Sequence, residues 1–165
     1  MITKIRPATE NDFGAITDIY AHYVRNGTAS FEIDPPDTAE MKQRWVNLTK
    51  KGFPYLVAED NGKVAGYAYI GPYRERLAYR HTVEDSIYID RHHLGKGMGK
   101  FLLSTVIEAS QRLGFKQVIA VIGDSNNAAS IRLHARCGFH DAGILKNVGH
   151  KFDRWLDVVL MQRAI

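Results

Sequence analysis

Leu94-Gly95-Lys96-Gly97-Met98-Gly99 places three glycines and one lysine in six positions. The stretch stands between a β-type run, Ser86-Ile87-Tyr88-Ile89-Asp90, and a helical run from Lys100 to Leu113. Strand, glycine loop and helix, in that order, make the local geometry of an anion cradle. Glycine lets the backbone approach a ligand closely and adopt φ > 0. The helix that follows turns its unpaired N–H groups and the positive end of its dipole to the same point. The expected occupant is the phosphate of a cofactor. Spacing excludes two other phosphate loops. A Walker A loop reads Gly-x-x-x-x-Gly-Lys-Ser/Thr, and no Ser or Thr follows Lys96. A Rossmann loop reads Gly-x-Gly-x-x-Gly near the start of a βαβ unit, whereas Gly95, Gly97 and Gly99 lie mid-chain as Gly-x-Gly-x-Gly. On the loop alone, a glycine-rich connector without a ligand is the competing reading.

Working outward, Ile2 to Arg6 alternates apolar and polar residues, as a short strand does. Thr9 starts a helix, with Asp12 completing a capping-box-like start. Phe13, Ile16, Ile19, Tyr20 and Tyr23 follow at helical spacing until Gly27. Ala29 to Pro36 reads as loop. Thr38 caps a second helix carrying Met41, Trp45 and Leu48, closed by Gly52. Tyr55 to Glu59 and Val64 to Ile70 read as strands joined by an Asn61-Gly62 hairpin turn. Gly71 to His81 is polar and irregular, and Thr82 to Asp90 is the strand that enters the cradle. Beyond the long helix, Val118 to Ile122 is apolar and β-branched, the pattern of a buried strand. Asn126 to Arg136 forms a short helix ended by Gly138. Phe139 to Leu145 and Arg154 to Met161 form a closing pair of strands. The order β-α-α-β-β-β-α-β-α-β-β predicts a mixed α/β fold, largely antiparallel in its first half, with a βαβ crossover at the cradle.

A chain of 165 residues fits one domain with a proper core, and 45% hydrophobic with 24% charged residues is ordinary for a globular protein. The net charge of +4 comes from dispersed bases without long runs, which argues against nucleic acid as a partner and suits an anionic cofactor. The single cysteine, Cys137, excludes an internal disulfide and fits a reducing compartment. No hydrophobic signal core opens the chain, and no apolar run reaches the length of a membrane span. The expectation is a cytoplasmic protein with no membrane partner.

Arg91-His92-His93-Leu94-Gly95-Lys96-Gly97-Met98-Gly99 resembles the Arg/Gln-x-x-Gly-x-Gly/Ala pyrophosphate loop of the GNAT family of N-acetyltransferases. It departs at Leu94, where that family usually carries Gln or Arg; backbone N–H groups do most of the holding there. Asn126-Asn127-Ala128-Ala129-Ser130-Ile131-Arg132-Leu133-His134-Ala135-Arg136-Cys137-Gly138-Phe139 resembles the family's Asn-x-x-Ala-x-x-Leu-Tyr-x-x-x-Gly-Phe segment. Gly71-Pro72-Tyr73, Thr82-Val83-Glu84, Val121-Ile122-Gly123 and Gly149-His150-Lys151-Phe152 resemble the phosphinothricin and methionine sulfoximine branch. The resemblance implies a mostly antiparallel central sheet flanked by helices over residues 1–165. It also implies acetyl-CoA as donor, no metal, direct attack by the α-amine of a small amino-acid-like substrate, and a homodimer. Ile87, Tyr88 and Ile89 would pair with the pantetheine arm. Leu94, Gly95, Lys96, Gly97, Met98 and Gly99 would hold the pyrophosphate, and Asn127 would both cap its helix and contact the arm.

An amine attacks a thioester only when neutral, and an α-ammonium needs a base to become so. Glu84, at the head of the cofactor strand, is the candidate; on pattern alone a solvated carboxylate, like Asp85 beside it, is an equal reading. By family position, His134 is the acid for the leaving thiolate, where most relatives carry Tyr; a packed helical His is the alternative. The resemblance makes the backbone N–H groups of Tyr88 and Ile89 the donors to the reacting oxygen, against ordinary ladder pairing. Arg74, Arg76 and Arg80 crowd the segment before Glu84, and arginine binds carboxylates bidentately. Arg76 and Tyr79 match the phosphinothricin branch, and Arg74 and Arg80 the methionine sulfoximine relatives. Phe31, Tyr73 and Phe152 are candidates for the side-chain pocket. Cys137 has no base partner in sequence and reads as a packed residue. Competing functions are acetylation of another small amine or a protein N-terminus, and a non-catalytic acyl-CoA-binding module. A polyamine acceptor would call for acidic residues where the arginines stand.

Overall fold

The computed structural model describes residues 4–165. Its elements are β1 (Lys4–Pro7), α1 (Phe13–Asn26), α2 (Thr38–Thr49), β2 (Tyr55–Asp60), β3 (Lys63–Pro72), β4 (Thr82–Ile89), α3 (Met98–Arg112), β5 (Gln117–Gly123), α4 (Ala128–Arg136), β6 (His140–Lys151) and β7 (Arg154–Ala164). The strand expected from Ile2 is seen from Lys4; Ile2 and Thr3 lie outside the described residues. Seven strands form one sheet in the order β1-β2-β3-β4-β5-β7-β6. Every pairing is antiparallel except β4 with β5, which α3 joins as the expected crossover.

The sheet carries a core on each face. On one, Leu102, Leu103, Val106 and Ile107 of α3 pack on Ala58, Ile70, Val83 and Val118. On the other, Phe13, Ile16 and Tyr20 of α1 and Met41 of α2 cover Val57 and a run of tyrosines. Tyr55, Tyr67, Tyr69 and Tyr88 stack there, with centroids 4.8 to 6.3 Å apart. Alternation on β4 therefore sends Val83, Ile87 and Ile89 to the α3 side and Tyr88 to the α1 side.

Several boundaries move from their sequence expectations, each for a local reason. Thr9 and Asp12 do bond, through Thr9 N–H and Oγ1 to Asp12 Oδ2 at 2.7 and 3.0 Å, but they close a short 3₁₀ turn, and α1 starts at Phe13. Asp37, not Thr38, caps α2, its carboxylate accepting from Glu40 N–H at 2.8 Å. Asn61 and Gly62 take positive φ, as the hairpin turn requires. The β6–β7 turn does the same with Phe152 and Asp153 at φ +52° and +54°, residues without a hairpin signature. β6 runs past Leu145 because a bulge at Lys146–Val148 is tied across the pair, Asn147 N–H donating to Asp157 Oδ1 at 3.0 Å.

Arg6 joins the chain's start to the sheet. Its guanidinium bonds both oxygens of buried Asp12 at 2.7 and 2.8 Å and Glu59 at 2.9 Å. The Arg6 hydrogen bond holds the Asp12 carboxyl below its usual range. Arg6→Met leaves Asp12 without its cation and is expected to cost about 1–3 kcal/mol. The loss should be largest near neutral pH. It should shrink in acid as Asp12 protonates, because a depressed carboxylate stabilises only above its unfolded value. Urea denaturation of both proteins at several pH values measures it.

Candidate active site

β4 and β5 pair only from Thr82↔Gln117 to Asp85↔Ala120, although both strands continue. Beyond that point they part. The β3–β4 register is regular, and bonds at its two ends, Tyr73 N–H to Thr82 O and Asp90 N–H to Ala65 O, assign the even-numbered residues of β4 to β3. The backbone groups of Ile87 and Ile89 consequently face the gap. On β5, Asp124 N–H bonds Asp157 O, so Val121 and Gly123 face the gap from the other side. Two open strand edges thus line a slot inside the sheet, which suits an extended ligand carrying amides. This corrects one expectation: the Tyr88 N–H belongs to the β3 ladder, and the N–H groups available at the gap are those of Ile87 and Ile89. The Ile89 carbonyl is taken, accepting from the Tyr23 hydroxyl at 2.6 Å.

The gap opens into a cleft of about 430 Å³ that contains Glu84, Asp85, Ile87, Tyr88, Asn127 and His134. Ser130 of α4 and Phe31 and Glu32 of the loop after α1 also face it. That loop is fixed from several sides. Thr28 Oγ1 donates to Asp124 at 2.8 Å, the Tyr20 hydroxyl meets Ser30 Oγ at 2.9 Å, and buried Lys151 donates to Ser30 O at 2.8 Å. The Phe31 ring lies against Gly123 and Gly149, where a Cβ at either glycine would collide with it.

The cradle ends at α3. Gly95 and Gly97 take φ +75° and +81°, and a Cβ on either would meet nothing within 4 Å. Gly97 caps α3; the next backbone donor, Phe101 N–H, bonds Gly97 O, which leaves the N–H groups of Met98, Gly99 and Lys100 without helical partners. Leu94, Gly95, Lys96 and Gly97 are exposed, while the Met98 side chain is buried and offers only its backbone. The helix start at Met98 is two residues earlier than Lys100. These residues fit a pyrophosphate: exposed N–H groups, a helix N-terminus and nearby Lys96.

Glu84 and Asp85 point to opposite faces of the sheet. Glu84 lies on the tyrosine side, half-buried, and burial followed by the neighbouring Asp85 charge raises its carboxyl above the usual value. Asp85 lies on the α4 side and meets His134 Nε2 at 2.9 Å, with His134 Nδ1 2.8 Å from the Ser130 carbonyl. A carbonyl and a carboxylate both accept, so His134 holds a proton on each nitrogen or shares one with Asp85. Burial alone would lower the His134 value, but the Asp85 hydrogen bond and charge outweigh it and raise it. Asn127 caps α4, accepting from Ser130 N–H at 3.2 Å. Cys137 is buried, its thiol pushed up by desolvation.

Arg74, Arg76, Tyr79 and Arg80 do not join this group. They border a separate depression of about 400 Å³ at the head of β4, floored by Phe53 and Phe115. Tyr73 packs edge-on to Tyr79 there, and Phe152 lies under the Lys151 ammonium in the β6–β7 turn. The residue that sequence reading missed is Asp85, whose partner lies 49 positions away.

A sheet parted beside a carboxylate, with a helix-start anion cradle at one end, fits an extended ligand that carries a phosphate. The chain belongs to the acetyltransferase (GNAT) family, whose model matches residues 5–160. It is 53% identical over 161 residues to the phosphinothricin N-acetyltransferase of Alcaligenes faecalis, spanning 98% of this chain and 82% of that one. The L-methionine sulfoximine/L-methionine sulfone acetyltransferase of Salmonella typhimurium is 43% identical over 159 residues, 96% of this chain and 92% of the relative. A solved phosphinothricin acetyltransferase from Sinorhizobium meliloti, in complex with acetyl-CoA, superposes with a TM-score of 0.96 at 46% identity, covering 100% of this chain and 89% of that one.

Two measurements check the site. Gly97→Val should weaken acetyl-CoA binding strongly in calorimetry, since a β-branched residue is strained at φ +81° and shifts the backbone that presents the cradle N–H groups. His134→Ala leaves Asp85 buried without a partner and is expected to cost about 3–5 kcal/mol where the pair is protonated. A raised histidine stabilises fully below its unfolded value of 6.5 and loses that contribution as pH rises through the folded value. The variant's deficit in urea midpoint should therefore be largest in mild acid and shrink toward alkaline pH.

Proposed function

We propose that the protein transfers the acetyl group of acetyl-CoA to the α-amine of a phosphinothricin- or methionine sulfoximine-like amino acid. The observation that carries this is the open slot between β4 and β5, flanked by Glu84 on one face and by the cradle and α4 on the other. The names of the relatives supply the substrate class. The cradle N–H groups hold the pyrophosphate, Asn127 and the open edges of Ile87 and Ile89 hold the arm, and Ile87 or Ile89 N–H donates to the oxygen where charge builds. Acetyl-CoA brings an activated thioester; the chain's own part is to aim, deprotonate and reprotonate.

Glu84 takes a proton from the ammonium on the tyrosine face. Its carboxyl, lifted by burial, is a stronger base than an exposed one. His134 serves the sulfur on the opposite face. The substrate amine sits at Glu84, beside Phe31. The working unit is one N-acetyltransferase domain over residues 1–165, a homodimer in the cytoplasm. No helix among the described residues is long and apolar enough to cross a membrane.

A thiol-release assay with acetyl-CoA against a panel of amines tests the reading. Methionine sulfoximine or phosphinothricin should react, and the matching carboxamide should be much poorer. Equal reaction of the carboxamide would overturn recognition of the carboxylate, and exclusive reaction of a peptide N-terminus would overturn the substrate class. Glu84→Gln should still bind acetyl-CoA but lose on the order of 10²-fold in kcat. In the parent enzyme activity should fall in acid as Glu84 protonates.

A further inference from the structure

The thiol side of the slot holds more than one histidine. Asp85 Oδ2 meets His134 Nε2 at 2.9 Å, and the Asp85 side chain is only 1% exposed. Its other oxygen, Oδ1, is buried without a hydrogen-bond partner among the described residues. On the far side of the imidazole, Nδ1 lies 2.8 Å from the Ser130 carbonyl and 3.3 Å from the Ser130 hydroxyl. Ser130, in the first turn of α4, faces the cleft. The Phe139 ring meets the imidazole edge-on at 5.0 Å and walls it from that side.

We propose that Asp85, His134 and Ser130 form a proton relay for the sulfur of the departing thiol, in which Ser130 faces the substrate and Asp85 holds the imidazole through Nε2. The inference rests on the acetyl transfer proposed above and assigns its second proton step. The C–S bond breaks and its electron pair passes to sulfur. Sulfur takes the Ser130 hydroxyl proton, and Ser130 Oγ takes the Nδ1 proton of His134. The imidazole is left neutral beside ionised Asp85 and regains a proton from solvent. The amine nitrogen bonds the acetyl carbon; its first proton leaves through Glu84 before attack and its second passes to solvent as the C–S bond breaks, so that with one proton returned to His134 an amide, a thiol and one free proton result.

Geometry favours this over a lone histidine acid. Both ring nitrogens already face protein acceptors, and neither is free to meet a ligand directly. The Ser130 hydroxyl is the one group that touches both Nδ1 and the cleft. Asp85 acts through His134 and is a positioning residue. The titratable groups beside the pair are Glu84 on the opposite face of β4 and Cys137 at the end of α4, and Cys137 in turn feels Lys100 of α3 and Arg163 of β7. Glu84 and Asp85 repel each other's charge, so a proton shared with His134 also eases ionisation of Glu84.

The test compares Ser130→Ala and Asp85→Asn with the parent by full pH profiles. Ser130→Ala keeps the backbone carbonyl and should lower kcat on the order of 10²-fold with the KM for acetyl-CoA unchanged and the alkaline limb in place. Asp85→Asn should move that limb to lower pH, because His134 loses the charge that holds its proton. Nitrogen NMR of His134 in the parent should titrate above 6.5, the ordinary value, and in Asp85→Asn below the parent. Full kcat in Ser130→Ala, an unmoved alkaline limb in Asp85→Asn, or a parent His134 titrating at or below 6.5 would each overturn the relay. Should Asp85→Asn not fold, Ser130→Ala and the parent titration decide alone. A parent enzyme that acetylates no amine would instead overturn the function proposed above, with the titration still reporting on the pair.

Discussion

Everything at the site depends on one withheld interaction: β4 and β5 stop pairing after Asp85↔Ala120. Parallel strands normally continue their ladder, and an unpaired backbone group buried away from water is costly. Here the ladder stops with both strands still extended, and each stays paired on its outer side, β4 to β3 and β5 to β7. Crossover helix α3 then places its start beside the opening, since it must leave β4 and return to β5. Slot and cradle are two results of one topology.

The slot also sorts charge. Pleating puts adjacent residues on opposite faces, so Glu84 and Asp85 serve different sides of the sheet although they are neighbours in sequence. Glu84 stays half-buried, and that burial makes it more basic. Asp85 is buried completely and is tied to His134, a pairing that offsets much of the cost of taking a carboxylate out of water. Two acids that a linear reading groups together therefore have separate environments, and pKa values separated by environment are what acid and base roles require.

The cradle was legible because its signal is local. Glycine at positive φ and a helix start fall within six residues, and Gly97 meets both demands. The Asn61-Gly62 turn and the Asn127 cap were legible for the same reason. Asp85 was not, since nothing in Glu84-Asp85 marks which carboxylate a distant imidazole will take. The arginine segment was legible as a cluster but not as a direction: the 3₁₀ turn at Leu77–Tyr79 aims it along the Phe53–Phe115 depression rather than into the cleft. β6 was cut short because Lys146-Asn147 breaks the alternation, and Asp157, which accepts the bonds that rescue pairing, lies on the other strand. The Phe152-Asp153 turn had no sequence cue; it is imposed by the two long strands it joins.

The buried thiol has a practical corollary. Cys137 is packed under α3, 3.8 Å from Ser104 Oγ, and its elevated value leaves little thiolate near neutral pH. As the only cysteine in the chain, it is also the only place where a disulfide-exchange chromogen could label the folded protein. Colour that develops while such a reagent is present counts released coenzyme and not enzyme. A slow rise in the blank after denaturant is added then becomes a built-in gauge of how much of the sample has unfolded.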